Sequence, residues 1–269
     1  MIVSLNGILI DDQETKISIY DRGFTLGDGI FETVRARNKK PLFLDSHMQR
    51  LRKSAAFLKI ALNTTDKEVY KITTELMNAN KLDNAIIRIT LSRGKSARGL
   101  ATPLHQNPTL LLTSAQLTAT QTPIHAIVSQ KTRRNEYSPL STLKSLCYLD
   151  NIIARQEAEE RNSDDALLMN TQDRIAESTI SNLFIINDGK LITPPESDGA
   201  LPGITRQRLM EKYNVIEQGI TLKNLMNSTE AFLTNSLGIR PLASVEGNPI
   251  GSGCVGQKTQ LIMKYFYST

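Results

Sequence analysis

One lysine whose neighbours could change its chemistry is Lys144, in the stretch STLKSLCYLDNIIARQEAEE. It comes just before a predicted helix and is flanked by Leu143 and Leu146. Apolar surroundings disfavour a charged ammonium group, so a lysine in such a place can have a lowered pKa and act as a nucleophile or base. The chain has many other lysines, and the local environment alone favours an ordinary one.

Glu177 is a candidate carboxylate, followed by a polar run of serine and threonine in RIAESTISNLFIINDGKLITP. One interpretation is a carboxylate that caps a turn. The other is a carboxylate directed at a cationic nitrogen of a ligand. The residues around Glu177 leave both open.

Two segments have the residue types of an anion site. In PGITRQRL, residues 202–209, a Pro-Gly turn leads into a helix whose first backbone N–H groups lack intrahelical partners, and Thr205 adds a hydroxyl. On a predicted helix over 45–60, Arg50 lies near the edge of the apolar face, where a guanidinium can bind phosphate with two hydrogen bonds. The ordinary alternatives are a helix start that binds only water and, with Arg52 nearby, a solvated basic face.

The composition excludes several classes of protein. Of 269 residues, 40% are apolar and 22% charged, so the chain is neither disordered nor fibrous and is long enough for one large or two modest domains. No apolar run reaches the ~18 residues of a membrane span. The first residues, MIVSLNGILIDD, are not typical of a signal peptide. We therefore expect a cytoplasmic protein that does not associate with membranes.

Cysteine and histidine are too sparse for a metal centre or a disulfide framework. Cys147 and Cys254 are far apart, and His47, His105 and His125 lack the spacing of metal ligands. We expect no metal and a reducing compartment.

The positive charge is modest and scattered. The net charge is +5, with basic clusters at 39–40, 50–53 and 131–134, which leaves a non-catalytic nucleic-acid-binding protein as one alternative. The chain has no tryptophan and only 5% aromatic residues, so a surface for stacking bases is poorly supplied. A small anionic ligand is therefore favoured over nucleic acid.

The elements that must position these residues mix strands and helices without a regular βαβ alternation, so an α/β fold other than a simple doubly wound sheet is predicted. The composition of residues 115–123 is typical of a linker, which predicts domains over 1–117 and 118–269. The main predicted elements are an N-terminal hairpin around Asn6-Gly7, a strand over 31–36, helices from Asp45 or Ser46, from Thr65 and over 145–161, a hairpin over 183–192, and helices over 204–213 and 255–267. Thr65 and Glu68 have the spacing of a capping box at the start of the second helix.

An ordered set of blocks resembles a known family. The motifs GxSxG, GxGxxG and GxxxxGK[ST] are absent, which disfavours common hydrolases, dinucleotide enzymes and P-loop ATPases. Instead the chain resembles the fold-type IV enzymes that use pyridoxal phosphate, a family of branched-chain and D-amino-acid aminotransferases and 4-amino-4-deoxychorismate lyases. The matching blocks are DRGFTLGDGIFETVRAR, HMQRLRKSA, LKSLCYLDNIIARQEA, AESTISNLF, LPGITRQRL and TNSLGIRPL. The resemblance implies a two-domain α/β fold like that of D-amino-acid aminotransferase, with the cofactor between the domains, and a homodimer.

The resemblance also implies roles for individual residues. Lys144, in the second domain, matches the lysine that forms the Schiff base with the cofactor, and Glu177 matches the carboxylate that pairs with the pyridine nitrogen. The residues that match the phosphate site are Arg50, Ile204, Thr205, Asn235 and Ser236. Those implied to contact the substrate, a small anionic amino compound, are Phe31 and Arg98.

The resemblance favours one member of the family. SRGKSARGLATP is similar to a loop of the aminodeoxychorismate lyases, in which Arg98 would hold a substrate carboxylate, and Leu100 stands where D-amino-acid aminotransferases carry a carboxylate-binding histidine. Glu32 is more typical of aminotransferases, Cys147 replaces a common asparagine, and LKSLCYLDNIIARQEA looks like the D-amino-acid enzymes. The expected function is therefore a lyase making 4-aminobenzoate and pyruvate for folate synthesis. An aminotransferase of D-amino acids or branched-chain L-amino acids is the alternative.

Overall fold

The computed structural model describes residues 1–118 and 121–268 and shows a mixed α/β fold, as expected. The chain forms two compact units. One comprises Met1–Thr118 and Leu143–Cys147, and the other comprises Ala119–Thr142 and Tyr148–Thr269. Residues 119 and 120, inside the predicted linker, lie outside the described residues.

The first unit is an antiparallel sheet with two long helices. Its elements are β1 (Ile2–Leu5), β2 (Ile8–Asp11), α1 (Arg22–Leu26), β3 (Gly29–Arg37), β4 (Lys40–Pro41), α2 (Leu44–Leu58), α3 (Asp66–Ala79), β5 (Ala85–Ser92) and β6 (Thr109–Gln116). The strand order is β2-β1-β6-β5-β3-β4. Thr65 and Glu68 form the predicted capping box at the start of α3, in which each side chain accepts a hydrogen bond from the other residue's backbone N–H.

The core of the first unit follows from the alternation of side chains along β5. Ile87 and Ile89 are fully buried while Arg88 between them is exposed, since successive strand residues point to opposite faces. Leu51 of α2 and Leu76 of α3 belong to the same buried cluster as these two isoleucines. The two helices therefore cover one face of the sheet, and this packing fixes the position of α2.

The second unit contains the remaining elements. They are β7 (Ile124–Val128), α4 (Leu149–Glu160), β8 (Asp165–Met169), β9 (Arg174–Ser178), β10 (Asn182–Asn187), β11 (Lys190–Thr193), α5 (Ile204–Lys212), β12 (Val215–Glu217), β13 (Ile220–Thr221), α6 (Leu222–Met226), β14 (Glu230–Asn235), β15 (Gly238–Val245), β16 (Asn248–Pro249) and α7 (Gln257–Ser268). Across the ranges that the structure describes, no helix has the length and apolar character needed to cross a bilayer.

The sheet of the second unit closes partly on itself. The strand order is β12-β11-β10-β14-β15-β7-β8-β9-β13, and a further pairing of Asn182 with Glu177 joins β10 to β9. Strand β10 is buried on both faces: Leu183 and Ile185 pack in one apolar cluster, whereas Phe184 and Ile186 pack in another. This explains the unbroken apolar run of β10 and places the ends of β9 and β14 on either side of it.

The segment that carries Lys144 differs from its prediction. The helix predicted over 145–161 begins only at Leu149, because residues 144–146 pair with β3 instead. The Phe31 N–H donates to the Lys144 carbonyl at 2.8 Å, and the Leu146 N–H donates to the Gly29 carbonyl at 2.9 Å. Lys144 was expected in the second domain, but these bonds group Leu143–Cys147 with the first unit.

Candidate active site

In the first unit, Lys144 lies against an aromatic ring. Its Nζ is 4.5 Å from the centroid of the Phe31 ring, and the guanidinium carbon of Arg88 is 3.7 Å from the same centroid. Phe31 is only 4% exposed, so its ring is held firmly by β3. The contact is a cation–π interaction, and it orients the lysine side chain.

Arg50 belongs to a buried cluster with Glu32 and His47. Its Nε donates to Glu32 Oε1 at 2.8 Å and its Nη2 to Oε2 at 2.6 Å, while Nδ1 of His47 lies 2.7 Å from Oε2. Burial raises the pKa of Glu32, but Arg50 and His47 outweigh it and hold that pKa at about 2. Burial lowers the pKa of His47, against the opposing effect of Glu32. Glu32 is therefore an ionised partner that fixes the plane of the Arg50 guanidinium.

Phe31 and Arg98, the two residues predicted to bind substrate, lie in different environments. Phe31 is in the buried sheet, whereas Arg98 and Leu100 lie in the exposed segment between β5 and β6. Cys147 is also exposed, with its Sγ 3.7 Å from the Gly27 carbonyl oxygen.

In the second unit, Glu177 is held by three partners. The Leu201 N–H donates to its Oε2 at 3.0 Å, Asn182 Nδ2 is 3.4 Å from the same oxygen, and Arg134 forms a short ion pair with Oε1. Glu177 is 4% exposed. Burial lowers the pKa of Arg134, but Glu177 overcomes that effect and raises it. Glu177 is therefore a buried carboxylate with a cationic partner, which suits the second of its two interpretations.

Arg134 is the residue that sequence reasoning missed. The sequence places it in the basic cluster 131–134 and gives it no role in the site. The structure gives each member of that cluster its own carboxylate: Lys131 pairs with Glu160, Arg133 with Asp173, and Arg134 with Glu177. Only the third pair is largely buried, with 17% of the Arg134 side chain exposed. No local sequence signal distinguishes Arg134 from its neighbours, because its partner Glu177 lies on β9, far along the chain.

The start of α5 has the features of an anion site. Its N-cap residue is Gly203, and no side chain caps the helix. A Cβ on Gly203 would come within 2.0 Å of Asn182 Oδ1, so a larger residue here would displace the Asn182 side chain. Ile204 and Thr205 are 4% and 3% exposed. The first backbone N–H groups of α5 thus remain available to an anion at the positive end of the helix.

The turn at Asn235 and Ser236 joins this helix start. Thr205 Oγ1 donates to the Asn235 carbonyl at 2.7 Å, and Asn235 Nδ2 donates to Ser181 Oγ at 3.1 Å. The Leu237 N–H donates to Asn235 Oδ1 at 2.9 Å, which shapes the turn between β14 and β15. The structure therefore brings together the predicted residues 177, 204–205 and 235–236 within the second unit.

This donor set fits pyridoxal phosphate. An uncapped helix start beside a polar turn suits the phosphate, and the buried Glu177 carboxylate suits a protonated ring nitrogen. Within the described residues no group of three or more histidine, cysteine, aspartate or glutamate side chains could hold a metal ion.

Comparisons with known proteins agree with this chemistry. A family model described as amino-transferase class IV matches residues 29–245. A D-alanine aminotransferase of Bacillus licheniformis is 30% identical over 97% of this chain and 94% of its own. An aminodeoxychorismate lyase of Bacillus subtilis is 30% identical over 93% of this chain and 88% of its own. A crystal structure of a branched-chain aminotransferase from Thermoproteus uzoniensis with norvaline has a TM-score of 0.92 and 27% identity, and covers 99% of this chain and 93% of that one. Three named activities match at similar identity, so similarity alone does not select one.

Proposed function

The chain belongs to the class IV aminotransferase family of pyridoxal-phosphate enzymes, and from this premise we propose that it is a 4-amino-4-deoxychorismate lyase. The reaction makes 4-aminobenzoate and pyruvate, a step of folate synthesis. The observation that carries the proposal is Arg98, an exposed guanidinium in a loop of the first unit. A guanidinium binds a carboxylate with two parallel hydrogen bonds, and the substrate is an acid. Leu100 is 82% exposed, and because its side chain is apolar it provides no second polar side-chain contact to that carboxylate.

The family resemblance assigns the cofactor contacts, and the surroundings of these residues within each unit support them. Glu177 would keep the ring nitrogen protonated, and the start of α5 with the 235–236 turn would hold the phosphate. Arg50, whose plane Glu32 fixes, would add a charge to the phosphate. Pyridoxal phosphate, when bound, supplies an electron sink for a carbanion beside the substrate nitrogen.

Lys144 would have two roles: it would hold the cofactor, and it would remove a proton from the substrate. Its Nζ is the group that would hold the cofactor, and as a free amine it would act on the bound substrate. As a general base it removes the proton from the ring carbon that bears the substrate nitrogen. The bond between the ring and the enolpyruvyl oxygen would then break, its electron pair would leave with that oxygen, and the ring would become aromatic. The released enolpyruvate becomes pyruvate when it takes up a proton. Phe31 keeps the lysine oriented through its ring.

The direct test is to supply the purified, cofactor-loaded protein with aminodeoxychorismate and assay both products. We expect 4-aminobenzoate and pyruvate in equal amounts. The matched control is Lys144→Ala, which lacks the attacking amine. If pyruvate does not rise above this control, the lyase proposal is wrong. Borohydride reduction followed by mass mapping should place the cofactor on Lys144, and this result tests the cofactor site separately from the reaction.

The second candidate is an aminotransferase of D-amino acids or branched-chain L-amino acids. The observation that favours it is Glu32, a residue more typical of aminotransferases, in its buried pairing with Arg50 and His47. An aminotransferase needs a first half-reaction in which the amino acid leaves its nitrogen on the cofactor. Conversion of the bound cofactor to its amine form by D-alanine or leucine would favour this candidate, and the absorbance spectrum measures it.

We further propose a homodimer in the cytoplasm. Ile17, Ile19 and Phe24 are 45%, 70% and 78% exposed and line one apolar groove of about 430 Å³ in the first unit. Exposed apolar patches of this kind are typical of interfaces between proteins. Both cysteines are free and exposed, which suits a reducing compartment. Sedimentation should give twice the chain mass, and Phe24→Glu should shift it toward the monomer.

A further inference from the structure

Two arginines share one carboxylate in the first unit. The Arg22 Nε and the Arg93 Nε each donate to Asp28 Oδ2 at 2.7 Å, and Arg93 Nη2 donates to Oδ1 at 3.0 Å. Arg22 is 6% exposed and Arg93 is 5% exposed. Burial raises the pKa of Asp28, but the hydrogen bonds from Arg93 and Arg22 prevail and lower it. Asp28 is thus an ionised group that fixes two guanidinium planes.

The other donors of Arg22 bind the backbone of one loop. Its Nη1 donates to the carbonyls of Gly99 at 2.8 Å and Ala101 at 3.4 Å, and its Nη2 donates to the carbonyl of Leu100 at 3.3 Å. We call residues 95–108 the Arg98 loop. Even its large apolar side chains are exposed, as Leu100 at 82% and Leu104 at 97% show, so few apolar contacts hold the loop in place. Arg22 therefore supplies a fixed point through three consecutive carbonyls.

The other donors of Arg93 bind backbone carbonyls at the end of α2. Its Nη1 donates to the Lys59 carbonyl at 3.0 Å and its Nη2 to the Leu58 carbonyl at 2.9 Å, at the end of α2. The same carboxylate thus orients one arginine toward residues 99–101 and the other toward the end of α2, where Gln106 Nε2 of the Arg98 loop also donates to the Lys59 carbonyl at 2.8 Å. This difference separates the effect of Arg22 on residues 99–101 from a general effect of losing a buried arginine.

We infer that Arg22 is a positioning residue, which fixes the backbone of residues 99–101 and so sets where Arg98 lies. The inference rests on the proposed function where it concerns substrate, because Arg98 is there assigned to the substrate carboxylate. A planar guanidinium is required, since a lysine ammonium beside Asp28 cannot also reach three carbonyls. The DRG…GDG block of the sequence thereby gains a role: Arg22 and Asp28 come from it.

Trypsin measures this directly, because it cleaves after Arg98 and the bond it cuts leads to Gly99, whose carbonyl Arg22 binds. Cleavage at this bond is followed by mass in the full-length protein. We expect wild type to be cut at least a hundredfold more slowly than a free peptide KSARGLATP. Arg22→Lys should raise the rate at least tenfold, and the matched control Arg93→Lys less than twofold.

Several outcomes would overturn the role of Arg22. One is wild-type cleavage as fast as the peptide, which requires no variant to fold. Another is a rate in Arg22→Lys equal to wild type, and a third is an equal rise in Arg93→Lys. Thermal unfolding of both lysine variants shows whether a faster rate reflects loss of the whole fold. If Arg22→Lys has lost its fold, the cleavage rate of wild type relative to the free peptide KSARGLATP decides.

Kinetics of the lyase reaction separate this inference from the proposed function. Arg22→Lys should raise KM at least fivefold with kcat within twofold, and Arg93→Lys should leave KM unchanged. Arg98→Ala should raise KM by itself. If Arg98→Ala has no effect on KM, the substrate contact is wrong while the trypsin result still decides the role of Arg22. If Arg98→Ala raises KM and Arg22→Lys does not, Arg22 does not position Arg98.

Discussion

Glu32 in the first unit and Glu177 in the second are both buried carboxylates paired with an arginine, but their remaining partners differ. Glu32 is bound by two side chains, those of Arg50 and His47. Glu177 is bound by Arg134, by Asn182 and by the backbone N–H of Leu201. A carboxylate whose named partners are all buried side chains, with no backbone N–H among them, acts as a structural counter-ion. A carboxylate held by the backbone keeps its place when its cation is exchanged for a ligand.

The largest effect expected from this difference is the loss of stability in Glu32→Gln. The amide leaves Arg50 charged and 9% exposed without its counter-ion. Removing one partner of a buried ion pair costs about 3–5 kcal/mol. Urea denaturation should show that loss in the free energy of unfolding. A loss below about 1 kcal/mol, the usual value for a surface pair, would show that Glu32 is not a structural counter-ion.

Acid should weaken the first unit through the same cluster. The pKa values of Glu32 and His47 are both lowered in the folded state, that of Glu32 to about 2. The unfolded chain therefore binds protons first, so stability is complete above the ordinary pKa of histidine and falls as the pH decreases. For Glu32 the loss runs from about pH 4.5 down to about 2 and amounts to roughly 3 kcal/mol.

The measurement is the free energy of unfolding against pH in wild type and Glu32→Gln. Glu32→Gln has no titratable carboxyl group at this position, so its unfolding free energy should change less with pH below about pH 4.5. Parallel curves for the two proteins would assign the acid loss to other groups. The comparison of the two carboxylates would then lose its electrostatic basis.

A smaller loss of stability and a larger loss of activity are expected from Glu177→Gln. The amide still accepts a hydrogen bond from the Leu201 N–H, and Arg134 is 17% exposed and reaches some water. A cost of about 1–3 kcal/mol in unfolding free energy follows. The loss of a charge directed at the ring nitrogen should lower kcat by roughly 10²–10³-fold. An unchanged kcat would remove Glu177 from the cofactor site.

Sequence patterns predicted the local parts of this molecule. The capping box of Thr65 and Glu68 and the start of α5 at Ile204 depend on neighbours a few residues away, and both were predicted correctly. The pairing of Glu177 with Arg134 and that of Glu32 with Arg50 were not predicted. Each joins residues from different elements, and single-sequence patterns carry no such information.

The extended segment around Lys144 was missed for a related reason. Its apolar spacing suits a helix, but hydrogen bonds to β3 satisfy its backbone and hold it extended. Tertiary pairing thus overrides helix propensity in Leu143–Cys147. The neighbours of Lys144 make it one candidate among many lysines, and only the family resemblance favours it as the lysine that holds the cofactor. That role stays a prediction.

The smallest effect is expected from Thr205→Val, which tests how the second unit holds its helix start. The Thr205 hydroxyl donates to the Asn235 carbonyl at 2.7 Å, and valine has the same shape without the donor. A lost hydrogen bond of this kind costs about 1 kcal/mol in unfolding free energy. Because the bond joins α5 to the 235–236 turn, pyridoxal phosphate should also bind severalfold more weakly, as measured by fluorescence titration. Thr205→Ser keeps the hydroxyl and should restore cofactor affinity. Equal affinities in the valine and serine variants would show that the hydroxyl does not shape the anion site.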